Sequence, residues 1–501
     1  MAMNQSKQFT RAFILLMAGL FCFLLYHKSP GLNYFLLSLV TIGAWLWTRT
    51  GATSRGFVIL IVGLILSGQS VVLGHNTLGI LMFWLSFALF IGTVHYTQIK
   101  HIQFAPNYFF YALSNARVSL IQGLSGGTES KSNWKNFVRF FFLPAFTLII
   151  LVSIYASANE FFGESFKAVW NNIKDFFGEF SFDGILLYIL GLILFSFFLV
   201  KTYSEKLVSK EQSLEMELLR KKKKPEFRKL NRLLLRQQQV AISFFIIINL
   251  MLAWQNFLEV KNVWFGFTWT GQLLKGFVHE GTYLLIFALL ISIAITIYYL
   301  NGNLLFMKNN GFFKALVILW IAQNLLMVAA VAVRNTYYVQ FYALAYKRIF
   351  IYFFLLAAAI ALLSIIYKIL NKKSVAFLIS TNSISVYFIA ILAACFNWDG
   401  IIARYNFNHS DKAYLHYEFM LQLNDAALPW LNSDNTKLKQ IDSLQFSRFP
   451  VKVNSIESNF GGQVSSRKSS FVKEFSEKSW LEWNLPEQRA YNLLLETGQT
   501  Q

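Results

Sequence analysis

Eleven apolar runs separated by polar segments occupy most of residues 10–396. A hydrocarbon layer of about 30 Å is crossed by roughly 20 helical residues, and about 17 are enough. Lipid offers no hydrogen-bond partner to the backbone, so each run must satisfy its own peptide groups as a helix. The runs lie at 10–26, 32–47, 56–73, 78–94, 140–156, 185–200, 240–254, 283–300, 315–333, 350–367 and 375–396.

The composition agrees with a membrane protein. Only 14% of the residues are charged and 55% are hydrophobic, whereas an ordinary soluble domain has about 25% charged residues. That deficit excludes a soluble globular enzyme. The sequence therefore predicts an all-α fold: a polytopic transmembrane helical bundle of about eleven spans with a C-terminal helical extramembrane tail.

The runs and the segments between them divide the chain into six predicted parts. These are an N-terminal four-span segment (1–100), a cytoplasmic loop with an amphipathic helix (101–139), a two-span segment with an outer amphipathic loop (140–200), a basic cytoplasmic loop (201–237), a five-span membrane core (238–396) and an extracytoplasmic helical tail (397–501).

Three extramembrane stretches carry a more specific prediction. Residues 105–124 and 161–180 place aromatic side chains at helical spacing among polar ones, as interfacial helices do. In the tail, the Ser- and Gly-containing stretch 453–470 is expected to be a mobile linker or an irregular loop. Tail helices are expected at 411–431, 434–446 and 477–496.

The distribution of charge predicts the orientation. The chain carries a net charge of +20, yet residues 397–501 hold 11 basic and 12 acidic side chains, so the excess lies between the spans. Positively charged loops stay on the cytoplasmic side and face anionic lipid headgroups. The net positive charge is thereby explained, and no nucleic-acid partner is expected. We expect a bacterial inner (cytoplasmic) membrane protein with its N-terminus in the cytoplasm and its tail outside. One loop does not fit this rule, because the predicted topology places the basic residues Arg334, Lys347 and Arg348 on the outer side.

Polar side chains in or beside the spans are the candidate functional residues, since they are costly in lipid. Glu280 and Asp399 are natural partners for Arg334, Arg348 or Arg404. Two interpretations stay open: a salt-bridge lattice that docks the tail on the bundle, or a binding site for an anionic headgroup or small ligand. The polar cluster expected at the outer face comprises His279, Glu280, Arg334, Asn335, Lys347, Arg348, Asp399, Arg404 and Asn406.

Other chemistry has little support in the sequence. Gln323 and Asn324, within the ninth run, are expected to form hydrogen bonds between helices rather than a transport site. His279 and Glu280 supply two metal ligands where zinc takes three or four. Cys22 and Cys395 lie in apolar runs without a CxxC pattern, so no disulfide framework is expected. Without a GxSxG, HExxH, Walker or dinucleotide-binding motif, the sequence assigns no catalytic residue, cofactor or metal, and it favours a protein without enzymatic activity.

Four stretches occur in an order that is found elsewhere. They are VHEGTYLLIFALLISIAI from Val278, WIAQNLLMVAAVAVRNTYYVQFYALAYKRI from Trp320, WDGIIARYNF from Trp398 and DAALPWL from Asp425. With them the chain resembles, over about 256–431, an uncharacterised family of bacterial multi-pass inner-membrane proteins. That family is known as a domain of unknown function of the four-one-five-three and four-one-seven-three type.

The resemblance implies a fold and no activity. It implies an Asn- and Arg-rich join between two spans and an Ile-Ala-x-x-Asn element after the last span. The family usually carries Gly-Leu-Thr where this chain has Ala343, Leu344 and Ala345. The join falls on Arg334, Asn335, Lys347 and Arg348, and the element on Ile402, Ala403 and Asn406.

Three functions follow as expectations. The leading one is a non-enzymatic sensory, regulatory or assembly component of the envelope, whose outer polar cluster and tail engage a ligand, a lipid or an envelope protein. The alternative is a transporter or lipid-handling protein of unknown substrate. A third, a membrane enzyme acting on lipid-linked substrates, rests only on His279, Glu280 and Asp399.

Overall fold

The computed structural model describes residues 2–48, 52–115, 143–176, 182–199, 203–219, 227–265, 281–300, 303–307, 310–432, 434–448 and 460–498. Within these ranges the fold is all-α, and the extended pairing is a single bridge between Glu217 and Lys373.

The helices follow one another in chain order. They are α1 (Ala2–Leu25), α2 (Leu32–Thr48), α3 (Arg55–Gly74), α4 (Thr77–Thr93), α5 (Ala105–Ser114), α6 (Leu143–Ala158), α7 (Glu160–Phe176), α8 (Phe182–Leu199), α9 (Glu205–Gln212), α10 (Phe227–Glu259), α11 (Gly281–Leu300), α12 (Gly311–Tyr342), α13 (Tyr346–Asn371), α14 (Val375–Ala394), α15 (Trp398–Asn408), α16 (Tyr417–Leu421), α17 (Asn435–Arg448), α18 (Phe460–Glu477) and α19 (Leu485–Gly498).

Each of the eleven apolar runs coincides with one helix. Six helices in the described part of the chain are long and apolar enough to cross a membrane, namely Arg55–Gly74, Leu234–Trp264, Tyr283–Leu300, Gly311–Tyr342, Tyr346–Asn371 and Val375–Ala394. The protein is therefore a multi-pass helical membrane protein, while the count of eleven crossings stays a prediction.

The chain forms two compact units, which are described separately. Unit 1 comprises Met1–Val72, Ile80–Gln212 and Ser479–Trp483. Unit 2 comprises Leu73–Gly79, Ser213–Lys478 and Asn484–Gln501.

Unit 1 has an aromatic interior. The ring of Phe21 lies 6.3 Å from that of Phe87 and 6.2 Å from that of Phe195. A Cβ on Gly191 would lie 3.1 Å from the Cα of Ala18, so the glycine allows α8 to approach α1 closely.

Unit 2 is built around α12, which packs against α10, α11 and α13. Its buried Phe313, Trp320 and Met327 recur every seven residues and so form one apolar stripe along the helix. The tail has a second apolar core, which Ile349 of α13 joins.

The expectation of an irregular loop at 453–470 is wrong from Phe460 onward. Helix α18 begins there and buries Phe460, Val464 and Phe471. These residues are four and seven positions apart, so they share one face of a helix and the burial of that face outweighs the low helix propensity of Ser and Gly. Residues 453–459 lie outside the described ranges.

Helix α17 (Asn435–Arg448) agrees with the helix expected at 434–446, whereas the other two tail helices are shorter than expected. Residues 411–431 contain α16 and a 3₁₀ turn at Asp425–Trp430, and α19 starts at Leu485 after a second 3₁₀ turn at Trp480–Glu482. The described parts of the two amphipathic stretches form α5 and α7, while residues 116–124 and 177–180 lie outside the described ranges. The position of these helices at a membrane surface stays a prediction. Lys221, Lys222, Lys223 and Lys224 lie outside the described residues.

Candidate functional site

The break between α12 and α13 is the centre of the candidate site. Ala343 there has φ 64° and ψ −175°, a backbone conformation that is essentially restricted to glycine. Across the break, Asn335 Nδ2 donates to the carbonyl of Arg348 at 2.8 Å. This bond joins two neighbouring helices that are both long enough to span a membrane, so the break lies at one end of each.

Asn406 of α15 holds the break from the side of the tail. Its Oδ1 accepts the amide of Leu344 at 2.7 Å, and its Nδ2 donates to the carbonyl of Leu344 at 3.0 Å. The amide of Tyr414 donates to the carbonyl of Phe341 at 2.8 Å. The side chain of Asn406 thus satisfies both backbone groups of Leu344, which the break removes from the helical hydrogen-bond pattern.

Asp399 fixes the start of α13 in a similar way. The buried carboxylate accepts a hydrogen bond from the hydroxyl of Tyr346 at 2.5 Å. It also accepts the amide and the side-chain Nδ2 of Asn424, at 3.0 and 3.1 Å. It lies in the first turn of α15, where the helix dipole favours a negative charge.

A cavity of about 280 Å³ opens beside the break. Four aromatic rings contribute to its wall, and the guanidinium of Arg348 lies 4.5 Å from the ring centroid of one of them, Tyr338. Arg348 Nη1 donates to the carbonyls of Tyr342 and Ala343. We name this cavity the Arg348 pocket, defined by Tyr338, Tyr342, Arg348, Tyr414, His416 and Phe419.

The loop that closes the Arg348 pocket is held by Gln445 of α17. Its Nε2 donates to the carbonyl of Ala413 at 2.9 Å, and its Oε1 accepts the amide of Leu415 at 3.2 Å. His416 caps α16 by accepting the amide of Phe419 on Nδ1. Burial, together with the charge of Glu418, raises the pKa of Tyr414, so its phenol stays protonated at neutral pH.

The predicted arginine partners need correction. Arg334 forms a bidentate ion pair with Glu259, with Nη2 to Oε2 at 2.5 Å and Nε to Oε1. Asp399 takes its hydrogen bonds from neutral donors, because the guanidinium of Arg348 turns instead toward the carbonyls that end α12. Sequence reasoning missed Glu259 because α10 continues for more than a turn beyond its apolar run.

The remaining predicted residues are not all in this cluster. Lys347 is exposed next to Arg348. The exposed Arg404 lies over the ring of Trp430, 4.9 Å from its centroid. His279 and Glu280 lie outside the described residues.

Gln323 and Asn324 lie deep in α12. Gln323 Nε2 donates to Asn249 Oδ1 at 2.7 Å, and the backbone carbonyl of Gln323 accepts a hydrogen bond from Asn256 Nδ2 at 3.1 Å. Both bonds link α12 to α10, whereas Asn324 Nδ2 donates to the carbonyl of Trp320 in its own helix at 2.8 Å. The buried oxygens Gln323 Oε1 and Asn324 Oδ1 have no hydrogen-bond partner in the described part of the protein.

The comparisons with known proteins identify the family. A family model described as "Domain of unknown function (DUF4153)" matches residues 12–433. The chain belongs to this family. The match includes every residue that defines the Arg348 pocket. No curated protein and no solved structure matches the chain.

Some residues in and beside the pocket are among the site residues predicted from the sequence. Arg348 was a predicted site residue, as were its neighbours Asn335 and Asn406, whereas the aromatic wall was missed. One signal was available, because Tyr338 and Tyr342 are four residues apart and so share a helix face. The contributions of Tyr414 and His416 depend on how the tail folds back, which no local pattern shows.

Proposed function

We propose that this membrane protein binds a phosphate group in the Arg348 pocket and serves as a non-enzymatic sensory, regulatory or assembly component of the bacterial inner membrane. One observation carries the proposal. Arg348 is a half-buried guanidinium on the wall of an aromatic cavity, and no carboxylate in the described ranges lies within ion-pair distance of it. Arg334, by contrast, is paired with Glu259.

The chemistry of the guanidinium suits a phosphate. Arginine presents five N–H donors, and Nη1 already serves the carbonyls of Tyr342 and Ala343. The donors on Nε and Nη2 form a fork that matches two phosphate oxygens, and Tyr338, whose ring stacks on the guanidinium and whose side chain also hydrogen-bonds with it, orients this fork. A charge in such aromatic surroundings is poorly solvated, so a bound anion would be strongly attracted.

The depth of the pocket favours a phosphate over other anions. The pocket lies where α12 ends and α13 begins, and both helices are long and apolar enough to span a membrane. The ends of spanning helices meet the phospholipid headgroups, which supports a phosphate ligand. The ligand is then the headgroup of a lipid or a soluble phosphate ester. Under the orientation predicted from the Lys and Arg distribution, this face is outside the cell, where the tail would also meet an envelope partner.

The test uses the full-length protein in a maltoside detergent, which carries no phosphate of its own. The probes are a short-chain phosphatidylglycerol and glycerol 3-phosphate, and the measurement is the dissociation constant. We expect Arg348→Gln to weaken binding at least tenfold, or about 1.4 kcal/mol. We expect Arg348→Lys to weaken it less, since charge remains without the fork.

Lys347→Gln is the matched control, because it removes a neighbouring exposed cation outside the pocket. It should leave the dissociation constant within about twofold. Tighter binding of phosphatidylglycerol would identify a lipid ligand, and equal binding a soluble ester. Equal effects of the Arg348 and Lys347 variants, or no binding of either probe, would refute the proposal.

A transporter or lipid-handling protein is the second candidate. It is favoured by Gln323 Oε1 and Asn324 Oδ1 of α12, two buried acceptors that have no donor among the residues that the structure describes. Unsatisfied polar atoms at this depth are costly, so a passing polar substrate would stabilise them. If Asn324→Cys reacts with a water-soluble thiol reagent and a substrate blocks the reaction, this function gains support. Complete lack of reaction would count against it.

A further inference from the structure

A second cavity, of about 350 Å³, lies in unit 1 between the chain that follows α4 and helix α9. It is independent of the Arg348 pocket and of the function proposed there. Its lining includes a buried carboxylate, three tyrosines and one exposed lysine. We name it the Glu211 cavity, defined by Tyr96, Gln98, Lys100, Tyr108, Tyr203 and Glu211.

Glu211 gives the cavity a negative charge. The residue is only 6% exposed. Its Oε1 accepts the backbone amides of Lys100 and His101 at 2.7 and 3.0 Å, and its Oε2 accepts the hydroxyl of Tyr108 at 2.6 Å. These donors orient the carboxylate without neutralising it, because each of them is uncharged.

Nearby basic groups leave that charge largely uncompensated. Burial lowers the pKa of His101 despite the opposing effect of Glu211, so the imidazole is neutral at pH 7. Lys100 is exposed, and among the described residues no cation lies within ion-pair distance of Glu211. A buried carboxylate of this kind is stabilised by a cation supplied from outside.

The tyrosines supply the second element of a cation site. The ring of Tyr96 stacks on Tyr108 with centroids 4.0 Å apart and on Tyr203 with centroids 5.3 Å apart. Burial raises the pKa of Tyr96 and of Tyr108, so both remain neutral phenols. Tyr203 is 51% exposed and forms the accessible end of the stack.

We propose that the Glu211 cavity binds an organic ammonium group. The electron-rich faces and hydroxyls of the tyrosines attract such a cation, and the carboxylate of Glu211 balances its charge. The amide of Gln98 donates from Nε2 to the carbonyl of Ala52, which leaves its Oε1 as a further acceptor at the cavity wall. The ammonium group comes from an ethanolamine lipid or from a soluble amine.

The test compares a cation with its neutral isostere on the full-length protein in a maltoside detergent. The probes are choline and 3,3-dimethyl-1-butanol, which have nearly the same shape but differ in charge. We expect choline to bind at least tenfold more tightly, and sodium chloride to weaken its binding. Equal binding of the two probes, or no binding of choline, would overturn the proposal.

Variants of Tyr203 keep the test independent of folding, because this side chain is half exposed. Tyr203→Ala should weaken choline binding about fivefold, as expected for loss of a cation–π contact, and Tyr203→Phe should stay within about twofold. Phe110→Ala is the matched control, since it removes an exposed aromatic ring of α5 outside the cavity. Lys100→Gln should tighten binding by removing a competing charge. An unchanged affinity in Tyr203→Ala would contradict the proposal.

A lipid probe separates the two sources of the ammonium group. A short-chain phosphatidylethanolamine that binds more tightly than ethanolamine identifies a lipid headgroup as the ligand. Equal binding identifies a soluble amine, and in both cases Tyr203→Ala must weaken the binding. If ethanolamine and phosphatidylethanolamine bind with affinities that Tyr203→Ala leaves unchanged, the Glu211 cavity is not their site.

Discussion

Single residues of this protein hold conformations that their chemistry does not favour, and the break at Ala343 is the clearest case. The backbone dihedrals of Ala343 suit a glycine, which is the residue that the resemblance to the family implies at this position. Leu344 and Arg348 hold the strained residue through the hydrogen bonds of Asn406 and of the guanidinium. The pocket is thus built on a backbone conformation that costs stability.

Ala343→Gly should therefore stabilise the protein. Removing the Cβ relieves a strain of about 1–3 kcal/mol, and the greater freedom of glycine in the unfolded chain returns part of that gain. The free energy of unfolding in detergent measures the effect. Ala345→Gly is the control, because Ala345 has an extended backbone and should gain nothing. A destabilised Ala343→Gly protein would contradict the backbone conformation.

The ionisation of Glu487 makes the free energy of unfolding depend on pH in the acidic range. Burial alone would raise its pKa, but His75 and Lys478 outweigh this effect and lower the pKa from 4.5 to about 2. Lys478 Nζ lies 2.7 Å from Oε2. A carboxylate with a depressed pKa in the folded state stabilises the protein above pH 4.5, and this contribution disappears as the pH falls through 2.

Glu487→Gln should lower the free energy of unfolding at pH 7 by about 3 kcal/mol, and the difference should shrink between pH 5 and pH 2. Chemical unfolding across that range measures it. Glu474→Gln, which changes an exposed carboxylate of α18, should show little difference from the native chain. A difference for Glu487→Gln that stays constant down to pH 2 would exclude the proposed coupling.

At the scale of secondary-structure elements, the sequence predicts more of the fold than it does at the scale of single residues. Run length and hydrophobicity predicted all eleven apolar helices, because a helix in lipid is determined by local composition alone. Helix α18 was not predicted, because the spacing of Phe460, Val464 and Phe471 indicates a helix whereas its Ser- and Gly-rich composition does not. The Arg348 pocket could be predicted only in part for a related reason. The sequence indicates Arg348 as a candidate residue, but His416 lies beside it only because of how the tail folds.

Helix α7 should lie in the membrane surface. Its Val169 is exposed in unit 1, and Lys167 lies about 160° away around the helix. Spin labels at Val169→Cys and Lys167→Cys, in a chain without Cys22 and Cys395, should be accessible to oxygen and to a nickel chelate, respectively. Equal access of the chelate to both labels would place α7 in water.

At the scale of the molecule, the topology can be tested directly. Six helices within the described ranges are long enough to cross a membrane. The predicted count of eleven crossings, with a cytoplasmic N-terminus, implies that the tail is outside. Ser466 is exposed on α18 and reports on this directly. In spheroplasts, a cysteine there should react with a membrane-impermeant reagent in the background without native cysteines.

Reaction only after permeabilisation would place the tail in the cytoplasm. The number of crossings would then be even, and the basic residues Arg334, Lys347 and Arg348 would follow the distribution of positive charge. The Arg348 pocket would still bind its phosphate, but its ligand would come from the cytoplasmic side.

The most direct measurement is the distance between the guanidinium of Arg348 and the phosphorus of a bound probe. Solid-state NMR dephasing of arginine ¹³Cζ by ³¹P, with short-chain phosphatidylglycerol or glycerol 3-phosphate as the probe, reports it. We predict a separation of about 4 Å, as in a hydrogen-bonded guanidinium–phosphate pair. The dephasing should persist in Lys347→Gln and vanish in Arg348→Lys. No dephasing in the native chain with saturating probe would contradict phosphate binding at Arg348.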